Sequence, residues 1–316
     1  MTQCENSSDG YDIIGDIHGH ADALERLLGK LGYELKDGSW QHHSRRAIFL
    51  GDFIDKGPQQ KRVLEIVMPM VQEGHALAVM GNHEFNALAF HTPDGQGGWL
   101  RPHTKKNIEQ HQAFLTEYQN PEELKPVLEF FWSLPLWIAR QGLRVIHACW
   151  DERVFDTLKT ERANQRLTLE LLRKANVKGS KEYKAIELLL KGKELALPEG
   201  HEGFADNSNT RRFNIRVAWW DLNSSTYRKA YIGPERAREN IPDLSTGGRH
   251  LVPYEANDSV LFLGHYWLTG DPQPLTANIA CTDYSVTLED GKLVAYRWSG
   301  ERELSKSNFV SVPGRR

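Results

Sequence analysis

The 316-residue chain is poor in cysteine, with only Cys4, Cys149 and Cys281. Three thiols are too few for a secreted disulfide framework and wrongly spaced for a zinc ribbon, so they read as small buried hydrophobes. Long apolar runs are also missing: no uninterrupted stretch approaches the roughly 18 residues that suggest a membrane span. The start, Met1 to Gly10, is polar and lacks an apolar targeting core. A cytoplasmic location with no membrane partner is therefore the expectation. Charge of either sign is not in excess, at a formal −3, which gives no global pull toward nucleic acid; any attraction for phosphate must come from local groups. No fixed-period repeat and no low-complexity tract occurs.

What is present describes a globular chain: 40% hydrophobic and 26% charged residues can bury a large core. A single elaborated domain over 1–316 is the default. Tyr11 to Ile14 reads as a strand, and Ala21, Leu24, Leu27, Leu28 and Leu31 then recur at helical spacing before Gly32. Arg46 to Leu50 gives a second strand, Val63 to Val71 a helix, and His75 to Met80 a third strand. Such alternation implies a parallel α/β sheet. Leu143 to Ala148, Ser259 to Leu263, Asn278 to Cys281 and Lys292 to Trp298 read as further strands, some antiparallel. Composition shifts over about 155–203, which reads as an inserted helical subdomain. Within it, Leu158 to Lys191 carries nine Lys or Arg against four Glu, either a basic lid or a helix with one solvated face.

Three short blocks carry the chemistry: Gly15-Asp16-Ile17-His18-Gly19, Gly51-Asp52-Phe53-Ile54-Asp55-Lys56-Gly57 and Gly81-Asn82-His83-Glu84. Each follows an apolar run. Asp52 lies 36 residues beyond Asp16 and Asn82 lies 30 beyond Asp52, separations that suit strand, helix, strand units. Each block therefore tops a parallel strand. Asp16 and His18, two apart, project the same way from one strand end, and Asp52 and Asn82 end neighbouring strands, so their side chains can converge at the carboxyl edge of the sheet.

These blocks resemble the GDxHG, GDxxDRG and GNHE signatures of the calcineurin-like metallophosphoesterases, in particular the bacterial phosphoprotein phosphatase branch. His147 and His265 end later apolar runs and complete the pattern. The resemblance implies two packed mixed β-sheets flanked by helices. It also implies that Asp16, His18 and Asp52 hold one divalent ion while Asp52, Asn82, His147 and His265 hold the other, with Asp52 shared. Manganese comes first by analogy, and iron or zinc also suit mixed carboxylate, amide and imidazole ligands. The resemblance further implies that two such ions would supply an activated water for direct attack on phosphorus, that His83 would protonate the leaving oxygen and that Asp55 would orient His83. Phosphodiesterase branches generally end in GHxH, whereas Gly264-His265-Tyr266-Trp267 offers one histidine, which favours the phosphatase branch.

Two positions depart from the pattern or leave it open. Lys56 stands where the family usually places a phosphate-gripping arginine, and lysine offers a point charge instead of a fork; a solvated turn lysine is the alternative. A second phosphate-binding arginine follows the Trp219-Trp220-Asp221 element in the resemblance. Arg228 is the candidate, with Arg216 and Arg212 as rivals. Trp150, Trp219, Trp220 and Trp267 adjoin these positions and serve either the core or the cleft wall. His20, His42, His43, His91, His103, His111 and His250 lack strand-end placement and read as surface or capping residues. The expected activity is phosphomonoester hydrolysis of serine/threonine protein phosphatase type, with a phosphorylated protein as substrate. Dinucleoside polyphosphate hydrolysis, with a nucleotide substrate, is the second reading, and an inactive metal-bearing scaffold the third.

Overall fold

In Tyr11–Ile14 successive side chains face two different cores, Ile13 joining one and Ile14 the other. That period of two sets the layering of the whole chain. The computed structural model describes residues 10–158, 165–205 and 211–315, so Cys4 lies outside the described residues. In chain order the elements are β1 (Tyr11–Ile14), α1 (Ala21–Leu31), β2 (Glu34–Lys36), β3 (Ser39–Gln41), β4 (Arg46–Phe49), α2 (Gln60–Gln72), β5 (Ala76–Ala78), α3 (Asn82–Phe90), α4 (Lys105–Glu117), α5 (Pro121–Ser133), β6 (Trp137–Arg140) and β7 (Leu143–Ile146). The remainder comprises α6 (Glu152–Leu158), α7 (Leu169–Ala175), α8 (Lys181–Lys191), β8 (Glu194–Ala196), β9 (Phe204–Ala205), β10 (Arg211–Arg212), β11 (Asn214–Arg216), α9 (Tyr227–Ala230), α10 (Glu235–Arg238), β12 (Val260–Leu263), β13 (Ile279–Cys281), β14 (Asp283–Tyr284), β15 (Lys292–Trp298) and β16 (Phe309–Pro313).

Two mixed sheets form the frame. One runs β14-β15-β1-β4-β5 with β16 also on β15, and the other runs β13-β12-β7-β6. The β1, β4 and β5 strands are parallel, as are β7, β12 and β13, while β15 runs antiparallel to β1 and β6 antiparallel to β7. Ile13, Ile48 and Val79 of the first sheet's chain meet Val145, Val260 and Phe262 of the second in one buried cluster. On the outer faces, Ile14 and Phe49 pack with Leu24, Leu27 and Leu28 of α1 and Val63 and Val67 of α2. Full burial of each such side chain stabilises the fold by about 1.5–3 kcal/mol.

The described part of the segment 155–203 carries α6, α7 and α8. Leu171, Leu172, Ile186 and Leu189 of α7 and α8 belong to the main core. A third, smaller core begins at the end of that segment, where Leu197, Phe204, Ile215, Val217, Tyr227, Tyr231, Ala237 and Ile241 pack together. Leucine spacing marked the helices, but which core they join depends on contacts made across the chain. No described helix is long and apolar enough to cross a membrane.

Candidate active site

The strand ends bring the sequence-predicted residues to one place. Asp16 follows β1, Asp52 follows β4, Asn82 opens α3 after β5, His147 follows β7 and His265 follows β12. Asp16, His18, Asp52, Asn82, His147 and His265 are all buried. Asp52 Oδ2 is the focus: His147 Nε2 stands 3.4 Å from it, His18 Nε2 3.6 Å and His83 Nε2 3.9 Å. Asp52 Oδ1 faces the other way and accepts the His83 backbone N–H at 2.9 Å. Two potential ion-holding groups share Asp52, namely His18, Asp52 and His83, and Asp52, His147 and His265. Asn82 Oδ1 lies 3.2 Å from His147 Nε2, and Asp16 Oδ2 lies 4.0 Å from His18 Nε2.

Neighbouring backbone aims these rings. His147 Nδ1 bonds to the Leu50 carbonyl at 2.7 Å and His18 Nδ1 to the Ile54 carbonyl at 2.9 Å. In each case Nε2 is left facing the centre, as a metal-ligating histidine requires. His18, Asp52 and His265 adopt left-handed backbone, with φ of 46°, 49° and 71°, which costs about 1–3 kcal/mol each and recurs at functional sites. Two glycines are explained by side chains rather than turns. A Cβ at Gly264 would stand 2.2 Å from Asp16 Oδ1, and one at Gly81 2.2 Å from Asp52 Oδ1.

The donor set fits divalent ions. Asp16 Oδ1 and both ring nitrogens of His265 are buried without a hydrogen-bond partner, a costly state for polar atoms unless a ligand completes it. Burial pushes Asp16 well above the usual carboxylate range, with Asp283 and Asp52 adding to it. Burial would also raise Asp52, but the His147 and His83 rings outweigh it and hold that carboxyl well below its ordinary value. Against the opposing effect of burial, Asp52 and Asp16 push His147 up to about 10.

His83 is the one part-exposed imidazole of this group. Its Nδ1 bonds to Asp55 Oδ2 at 2.5 Å, the pairing expected from the sequence. The Lys56 Nζ turns toward the centre, lying 2.9 Å from His18 Nε2 and 3.5 Å above the Trp267 ring. Although the residue as a whole is exposed, its ammonium loses water on turning inward, which lowers its pKa against the pull of Asp52, Asp283 and Asp16. Arg228 is not brought to the centre. Its Nε donates to the Ile241 carbonyl at 2.8 Å and its Nη2 to the Glu239 carbonyl at 3.3 Å, because a short helix turns it toward the small core. Arg216 lines the cleft instead, with Nη1 donating to the His265 carbonyl at 3.2 Å. Arg212 lines it also.

Three buried residues escaped the sequence reading. Glu84 accepts the N–H groups of Asp52 and Phe53 at 2.8 Å each and of Gly81 at 3.0 Å, tying two of the blocks together. Burial and the Asp52 charge raise it to about 7. Its place in the third block was the available signal. Asp283 accepts the Trp267 N–H at 2.7 Å, with no motif to mark it. His111, expected in a surface or capping role, is 2% exposed and bonds to Asp55 Oδ1 at 2.7 Å. His20 and His250 are likewise buried, His20 at the N-cap position of α1. Of the tryptophans, Trp267 lines the cleft, whereas Trp150 and Trp219 are core residues.

The centre opens into a cleft of about 2160 Å³. Lys106 and Gln110 of α4, Lys191 of α8, and Arg211, Phe213 and Arg238 of the small-core segment line its walls.

Comparison with known proteins agrees with this architecture. The chain is 33% identical over 138 residues to the asymmetrical bis(5'-nucleosyl)-tetraphosphatase PrpE of Oceanobacillus iheyensis, covering 43% of this chain and 54% of that protein. It is 47% identical over 74 residues to the same-named protein of Halalkalibacterium halodurans, covering 23% of this chain and 30% of that protein. The chain thus spans about half, or less, of the length of these curated relatives. Among solved structures, a cold-active protein tyrosine phosphatase superposes with a TM-score of 0.50 at 20% identity, covering 93% of this chain and 78% of that one. A Saccharomyces cerevisiae protein serine/threonine phosphatase gives a TM-score of 0.50 at 13% identity, covering 98% and 80%. These two likenesses concern the fold. The family profile of the calcineurin-like phosphoesterases matches residues 11–265, and the chain belongs to that family.

Proposed function

We propose that this protein is a dinuclear metal-dependent phosphomonoester hydrolase. Asp16, His18 and Asp52 hold one divalent ion, and Asp52, Asn82, His147 and His265 the other. The observation that carries this reading is the single oxygen, Asp52 Oδ2, faced by the inward nitrogens of His18 and His147 at 3.6 and 3.4 Å. Manganese is the first expectation for both positions, with iron or zinc compatible with the same donors. When bound, such ions supply Lewis-acid charge at the phosphoryl oxygens and an activated water.

The chain's own groups do the rest. His83, part-exposed at the base of the cleft and oriented by Asp55, delivers a proton from Nε2 to the departing oxygen. Proton delivery matters most for a poor, alkoxide-like leaving group, and that is what favours a phosphorylated serine or threonine. Arg216 offers the phosphate a fork and Lys56 a point charge. A second reading, hydrolysis of a dinucleoside polyphosphate, is supported by the cationic cleft wall with exposed Phe213 and by what the curated relatives are called.

The test is to load the full chain with manganese and assay a phosphoserine peptide beside diadenosine tetraphosphate. Phosphate release from the peptide supports the first reading. Cleavage confined to the nucleotide rejects it in favour of the second.

A further inference from the structure

Asp55 receives a hydrogen bond on each carboxylate oxygen, from His83 Nδ1 on Oδ2 at 2.5 Å and from His111 Nδ1 on Oδ1 at 2.7 Å. The two imidazoles therefore flank one carboxylate, and they come from different helices, α3 and α4. His111 is 2% exposed, and its ring is enclosed by Phe114 at 4.8 Å, Phe90 at 5.2 Å and His91 at 5.8 Å between centroids. Its Nε2 is buried without a partner. The one described hydrogen bond of this ring is thus spent on Asp55.

We infer that His111 is a positioning residue for His83, acting through Asp55. A carboxylate held at one oxygen can still rotate about its last torsion and swing that oxygen out of line with an imidazole. A second donor on the opposite oxygen removes this freedom, so Asp55 Oδ2 stays in the plane where His83 Nδ1 needs it. That fixes the His83 tautomer and aims Nε2 into the cleft.

The helix carrying His111 is anchored a second time. Glu117, at the end of α4, accepts the backbone N–H groups of Gln60 and Lys61 at 2.9 and 2.7 Å, the free donors at the start of α2. The Asp55 N–H in turn donates to Gln60 Oε1 at 2.6 Å. The loop from Asp52 to Gln60 is therefore clamped against α4 at both its middle and its end. Lys106, Asn107 and Gln110 of the same helix line the cleft, so the element that walls the cleft also holds the proton donor in register.

The inference rests on reading His83 as the proton donor, and the experiment separates the two. The full manganese-loaded chain is compared with His111→Phe, His111→Asn and His83→Asn on 2,4-dinitrophenyl, p-nitrophenyl and phenyl phosphate, with metal content measured for each. Phenylalanine keeps the stacking against Phe114 but has no donor; asparagine can offer its amide N–H where Nδ1–H was. For His111→Phe, kcat should fall by a factor that grows with leaving-group pKa, reaching roughly tenfold on phenyl phosphate, with two ions retained. His111→Asn should recover most of that loss. A loss of equal size on all three esters, or asparagine no better than phenylalanine, overturns the inference while His83→Asn still shows its own leaving-group dependence. A leaving-group-independent loss in His83→Asn removes the proton-donor reading and this inference with it. Should the phenyl ring disturb folding, His111→Leu repeats the comparison.

Discussion

The backbone N–H of His83 donates to Asp52 Oδ1 at 2.9 Å, so the carboxylate at the middle of the centre also fixes the start of the helix that carries the proposed proton donor. Its second oxygen is left for the cluster of imidazole nitrogens. On the proposed reading this one side chain serves both ion binding and proton delivery, and its replacement should affect both.

Asp52→Asn keeps an oxygen for the His83 amide but removes the shared anion. Metal analysis should show fewer than two ions per chain after dialysis against trace manganese, and turnover should fall at least about 100-fold. A variant that retains both ions at native affinity would refute the shared-ligand role.

Metal uptake should release a proton. In the metal-free protein His147 is pushed up to about 10, chiefly by Asp52 and Asp16 against the effect of burial. An ion needs the neutral ring. Manganese affinity should therefore rise with pH through the neutral range, by roughly tenfold per unit where one proton is displaced. Calorimetry in buffers of different ionisation enthalpy reads that proton directly. The linked stability runs the other way: because the folded value lies above the ordinary 6.5, the charged ring stabilises the metal-free fold below that pH. This contribution is lost as pH climbs toward 10, and thermal unfolding of the chelated protein from pH 6.5 to 9.5 would show it.

Arg216→Ala and Arg228→Ala should separate cleanly. Loss of the cleft-lining guanidinium should raise KM for an aryl phosphate about tenfold, the worth of a charged hydrogen bond. Loss of Arg228 should leave KM in place and lower stability by about 1 kcal/mol, since its partners are the Ile241 and Glu239 carbonyls. The reverse pattern would restore Arg228 as the phosphate ligand.

Phe213 is 57% exposed on the cleft wall, where a base could stack on it. Under the nucleotide reading, Phe213→Ala should raise KM for diadenosine tetraphosphate by about 5- to 100-fold. Affinity for a phosphoserine peptide should stay constant, and so should stability, to within about 0.5 kcal/mol. An unchanged nucleotide KM would remove the stacking argument.

Much of the centre was legible because its residues sit at strand ends, where local alternation dictates direction. Asp16 and His18 follow β1, and Asp52 follows β4, each after a short run whose apolar pattern announces it. Helix α1 ended at Gly32 as its spacing suggested, with that glycine at φ 90° closing the last turn. His111 shows the limit. It sits mid-helix 56 residues beyond Asp55, and its helical spacing says nothing of a carboxylate on another loop. Arg228 shows the same from the other side, since proximity in sequence to Trp219-Trp220-Asp221 did not decide where its guanidinium went.

The amino-acid order by itself determined that the Asp16, Asp52 and Asn82 blocks would stand at the carboxyl ends of strands, because hydrophobic periodicity and short polar blocks are local properties. Only the packing of two sheets and of α4 decided which of them meet. Contacts such as His111 with Asp55, or Glu84 with the Asp52 and Phe53 amides, depend on long-range burial, whose cost and gain are fixed across the whole core and not within any one segment.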